Sequence, residues 1–67
     1  MIICYDVKRK KVVYLNPKCV VTMYSDDKDD RNMIIELLSK PWTITVREDS
    51  RECEAIKNYF RKELLKC

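Results

Sequence analysis

Glycine and histidine are both missing from this chain, and each absence closes off a class of chemistry. Without glycine there is no Gly-rich loop to cradle a phosphate, which excludes the P-loop and dinucleotide fingerprints. Nor can any hairpin use the favoured Asn-Gly or Asp-Gly two-residue turn. Its turns should therefore be longer, or should place Asn or Asp in the left-handed region. Without histidine the commonest general base and metal ligand is gone.

Close cysteine pairs are lacking too. Cys4, Cys19, Cys53 and Cys67 are far apart, whereas zinc sites are built from near-neighbour cysteines or Cys/His sets. No metal and no cofactor is expected. The opening apolar run, Met1 to Tyr5, stops at Asp6 and is too short for a signal sequence or a membrane span. This points to a cytoplasmic protein with reduced thiols, in which Cys4, Cys19 and Cys53 serve as small buried hydrophobes. Cys67, the last residue, is expected to be exposed.

A catalytic set is equally hard to assemble. Asp26, Asp27, Asp29 and Asp30 sit in the polar stretch SDDKDDR, with nothing nearby to exclude water or shift a pKa. The stretch also lacks the glycine and terminal glutamate of a calcium loop. A cysteine nucleophile would have no histidine to activate it. The chain is not expected to be an enzyme.

What is present is a folding composition: 46% hydrophobic and 37% charged residues, with a net charge of +3 over 67 residues. That length makes one domain, residues 1–67, with a core too small for more than a few kcal/mol of stability. Self-association is a natural way to supplement it.

Ile2 to Val7 reads as a strand with Ile3, Tyr5 and Val7 on one face and Cys4 on the other, and Val12 to Leu15 is a second. Between them lie four consecutive cations, Lys8, Arg9, Lys10 and Lys11, at the tip of the resulting hairpin. Asn16-Pro17 marks a turn. Cys19 to Tyr24 follows as a strand that would bury Cys19, Val21 and Met23, and the acidic stretch is an exposed connection. NMIIELLS fits either a helix or a strand. We read a strand, because Lys40-Pro41 follows at once and WTITVRE alternates strictly, placing Trp42, Ile44 and Val46 inward and Thr43, Thr45 and Arg47 outward.

Asp49, with Glu52 three residues later, has the spacing of a capping box. The helix it opens repeats Cys53, Ile56, Phe60, Leu64 and Cys67 as one apolar stripe, flanked by Ala55 and Tyr59. The expected architecture is α+β: a small antiparallel sheet of about five strands, a meander open or barrel-like, followed by one C-terminal amphipathic helix packed on it.

The order KKVVYLNPKCVV, then MIIELLSKPWTITVREDSRECEAIKNYF, resembles the small flagellar FlbD/SwrD proteins. Lys11, Leu15, Asn16, Pro17, Val20, Ile35, Leu37, Val46, Glu48 and Ile56 carry the likeness. That family has glycine in its tight turns, where this chain has Ser39-Lys40-Pro41-Trp42, and it lacks the acidic insertion Asp26 to Asp30. The resemblance implies a small cytoplasmic accessory protein without catalytic residues, acting by protein contact in support of the flagellar motor.

Three functions are compatible with these features. The first is a non-enzymatic interaction, accessory or regulatory module, self-associating through a strand edge or the helix face. The second is nucleic-acid binding, with Lys8, Arg9, Lys10 and Lys11 on phosphates and Tyr5 and Tyr14 stacked on bases. The third is a small inhibitor of a host enzyme, encoded by a mobile element.

Overall fold

The computed structural model describes the backbone of residues 1–65 and the side chains of residues 1–62. Five strands and a helix follow in the expected order: β1 (Ile2–Asp6), β2 (Lys11–Leu15), β3 (Val20–Ser25), β4 (Asn32–Leu37), β5 (Thr43–Arg47) and α1 (Arg51–Leu65). A single 3-10 turn, Pro17–Cys19, joins β2 to β3. Asn16 caps it by accepting a hydrogen bond from the Lys18 amide, as its Asn-Pro sequence leads one to expect. No described helix is long and apolar enough to cross a membrane.

The strands do not form one sheet, and they do not close into a barrel. β1 and β2 make an antiparallel pair, while β3, β4 and β5 make a separate antiparallel sheet in that order. β1 runs beside β5 but bonds it only once, through Val7 N–H to the Thr45 carbonyl at 2.9 Å. Two residues earlier the Tyr5 amide donates instead to Glu52 Oε2 at 2.8 Å. A carboxylate from the first turn of α1 thus takes the donor that would have extended the β1–β5 ladder.

Turn chemistry explains how the hairpins manage without glycine. Asp6 Oδ1 accepts from the amides of Lys8 and Arg9 at 3.1 and 3.2 Å, and its carbonyl accepts from the Lys10 amide at 2.8 Å. The β1–β2 loop is therefore four residues long, with Lys10 in the left-handed region at φ 58°. Ser39, between β4 and β5, takes the same region at φ 62°. The turns are long, as expected, but Lys and Ser fill the left-handed positions rather than Asn or Asp. The Asx-type bonds of Asp6 supply part of the compensation.

Three other expectations are corrected. A bulge between Val20 and Thr22 inserts a residue into β3, so Val20 and Met23 turn inward while Cys19 and Val21 are exposed. An extra residue shifts a period-2 pattern to the other face. Second, the helix cap is Ser50, whose Oγ accepts from the Cys53 amide at 3.2 Å. Asp49 is exposed and lies 3.7 Å from Arg47, and Glu52 is committed to Tyr5. Third, Trp42 precedes β5 and is 42% exposed, while Thr45 is only 2% exposed. Ile44, Thr45 and Val46 are buried in succession, with β1 and α1 both in contact with β5, so this strand is covered on both faces rather than alternating.

The core joins all three layers. Cys4 and Leu15 come from the hairpin, Val20, Ile35, Ile44 and Val46 from the larger sheet, and Cys53 and Ile56 from α1. Each buried aliphatic contributes about 1.5–3 kcal/mol relative to exposure. Phe60 packs at the margin of this cluster. The Leu64 side chain and Cys67, the remaining members of the expected stripe, lie outside the described residues.

Candidate interaction surface

Because Cys4 and Leu15 point into the core, the alternate residues of the hairpin must point out. The register pairs Ile3 with Tyr14 and Tyr5 with Val12. Four large side chains therefore sit together on one outward face, and they are 63%, 70%, 46% and 56% exposed in that order. None of the four carries a charge.

The edge of this hairpin can be read from its hydrogen bonds. Tyr5 and Val7 direct their amides away from β2, toward Glu52 and Thr45. In an antiparallel pair, bonded and non-bonded residues alternate, so β1–β2 bonding runs through Ile2–Leu15, Cys4–Val13 and Asp6–Lys11. The amides and carbonyls of Val12 and Tyr14 are left on the outer edge of β2. Among the described residues no other strand pairs with that edge.

The predicted cation cluster divides in two. Lys8 Nζ is 3.5 Å from Asp26 Oδ2, and Arg9 Nε is 3.8 Å from the buried Asp6 Oδ2, an oxygen that accepts no hydrogen bond. Lys10 and Lys11 are exposed and make no ion pair among the described residues. The structure thus places Tyr5 and Tyr14 on one face of the hairpin, whereas Lys11, opposite Asp6 in the register, falls on the other face, Lys10 lies in the loop, and Lys8 and Arg9 are tied back onto the protein.

The acidic stretch is not wholly a solvated connection either. Asp26 is buried and accepts from the Lys28 amide at 3.0 Å. That bond, together with the Lys8 ammonium, holds its carboxyl below the usual aspartate range against the opposing pull of burial. The Asp6 and Asp26 contacts were missed in the sequence reading. The available signal was an aspartate two residues before each backbone donor, the spacing of an Asx turn.

Both core thiols are suppressed. Burial, then the nearby Glu52 carboxylate, pushes the Cys4 thiol up to about 11, and burial likewise raises Cys53. At neutral pH these are inert protonated groups, whereas Cys19 is exposed rather than buried as expected.

A cleft of about 310 Å³ opens between β2 and the β4–β5 end of the larger sheet. Val13, Leu15, Leu37 and Ile44 line its apolar interior, and Trp42 lies at its wall with Arg9 and Lys40. The Arg9 guanidinium carbon is 5.8 Å and Lys40 Nζ 5.2 Å from the Trp42 ring centroid. Trp42 was expected in the core. It lies before the strand, where both cations approach its ring. Comparison with protein-family models, curated proteins and solved structures returned no match.

Proposed function

We propose that this chain is a small non-enzymatic interaction module that self-associates through the outer face of the β1–β2 hairpin. The observation that carries the reading is the uncharged cluster of Ile3, Tyr5, Val12 and Tyr14 on a single exposed face. The occupant best matched to that face is a second copy of it. Its rings lie on one diagonal and its aliphatics on the other, so an in-plane two-fold axis parallel or perpendicular to the strands sets each ring over an aliphatic of the partner. The patch is on the order of 400 Å², about half of the ~800 Å² per partner in a standard interface. A weak dimer, with Kd on the order of 100 μM, is the corresponding expectation. Likeness to the FlbD/SwrD proteins contributes the accessory, contact-based character of this role and nothing finer.

Sedimentation velocity from about 10 to about 500 μM reduced protein tests the reading. A rise in weight-average mass that Tyr14→Glu abolishes without changing the circular dichroism supports it. A wild type that stays monomeric throughout would refute it.

A second reading, nucleic-acid binding, is favoured by one observation: Tyr5 and Tyr14 are exposed together on a hairpin whose Lys10 and Lys11 are also exposed and make no ion pair among the described residues. Against it, half of the predicted cation cluster is neutralised internally. Oligonucleotide anisotropy at about 50 and about 200 mM salt separates the two readings. Binding that falls steeply with salt, and that Lys10→Ala with Lys11→Ala removes while dimerisation persists, would favour the second.

A further inference from the structure

We propose that the cleft beside Trp42 is a binding site for a small amphipathic carboxylate of about ten non-hydrogen atoms in all, an apolar chain ending in one acid group. Its volume of about 310 Å³ falls at the lower end of the roughly 300–1,000 Å³ typical of small-molecule sites. The interior offers an aliphatic wall of Val13, Leu15, Leu37 and Ile44, and an apolar chain can displace water from it.

The charge at the rim selects the head group. Arg9 and Lys40 both stand within 6 Å of the one indole ring, and among the described residues no acidic side chain lines the cleft. Arg9 is shared with Asp6 at 3.8 Å. Lys40 has no carboxylate within ion-pair distance among the described residues, so its ammonium is an unspent positive charge. A carboxylate beside it would accept a charge-assisted hydrogen bond while the chain lies along Trp42. A neutral head group would forgo that bond, and a cationic one would meet two like charges.

Trp42 is the only tryptophan in the chain, so its emission reports on this cleft directly. The test titrates the full-length reduced protein with octanoate, 1-octanol and octyltrimethylammonium, following Trp42 fluorescence and backbone amide shifts. Expected is saturable binding of octanoate with Kd about 0.1–1 mM, the range that ligands of this size reach. Octanol should bind about tenfold more weakly and the ammonium not at all. Lys40 is exposed, so Lys40→Ala should keep the fold and weaken octanoate about tenfold while leaving octanol unchanged. Equal affinity for all three probes, or no effect of Lys40→Ala on octanoate, overturns the assignment of a carboxylate. Absence of any saturable change at Trp42 and at the amides of residues 37–42 overturns the site itself.

Discussion

Replacing Asp6 tests the local argument most directly. Its side chain is 1% exposed, and Oδ1 holds two amides of the hairpin tip, those of Lys8 and Arg9. Each such bond is worth about 1 kcal/mol net. Asp6→Ala should therefore cost about 2 kcal/mol, with any lost attraction to Arg9 added and relief of the unbonded Oδ2 subtracted. Asp6→Asn keeps an oxygen acceptor for both amides, gives up the charge facing Arg9 across 3.8 Å, and puts an unpartnered NH2 where the buried Oδ2 stood. It should cost about 1 kcal/mol. For a domain of this size, Asp6→Ala then lowers Tm by roughly 8–16 °C, and Asp6→Asn by about half as much. Urea titration followed by circular dichroism gives both free energies, and equal m-values would show that the unfolded reference has not moved. Equal destabilisation of the two variants would refute this account of Asp6, because the two amide bonds would then not distinguish them. So would a cost for Asp6→Ala below about 0.5 kcal/mol, the range of ordinary surface substitutions.

Two further outcomes follow from the same structure. The Cys4 thiol is raised from 9.0 to about 11 in the folded chain, so above pH 9 the unfolded state binds fewer protons than the native one. Its contribution is complete below pH 9 and is lost as pH rises toward 11, by about 2–3 kcal/mol. Urea midpoints measured from pH 8 to 11 should show this decline, and Cys4→Ala should flatten it. At the helix start, Ser50→Ala should cost about 1 kcal/mol through loss of the bond to the Cys53 amide, whereas Asp49→Ala should stay within about 0.5 kcal/mol. The opposite ranking would return the cap to Asp49.

Which elements exist was written locally. The β-branched and aromatic runs of β1, β2 and β5, the Asn-Pro turn and the spacing of Cys53, Ile56 and Phe60 each specify a backbone state within a few residues. The structure contains each in its expected place. Choosing a strand for Asn32 to Leu37 also rested on local cues, the nearby Pro41 and the alternation that follows it. The grouping of Ile3 with Tyr5 on one face needed only the period of two, whereas burial of Cys4 decided that this face is the outward one.

What covers each face is a different question, because an alternating strand labels its two faces without naming their neighbours. β5 has Ile44, Thr45 and Val46 all buried because the hairpin and α1 both pack against it, the hairpin from far away in the sequence. The bulge between Val20 and Thr22 turned Val20 inward and Val21 outward at the start of β3, leaving Met23 inward as expected, at a point where composition gives no warning. Trp42 and Arg9, distant in the sequence, meet only through the packing of the hairpin against the larger sheet. The sheet divides for an equally non-local reason. Local pattern made β1 a strand, but the Tyr5 amide could bond either a β5 carbonyl or the Glu52 carboxylate. The packing of α1 against β1 chose the carboxylate.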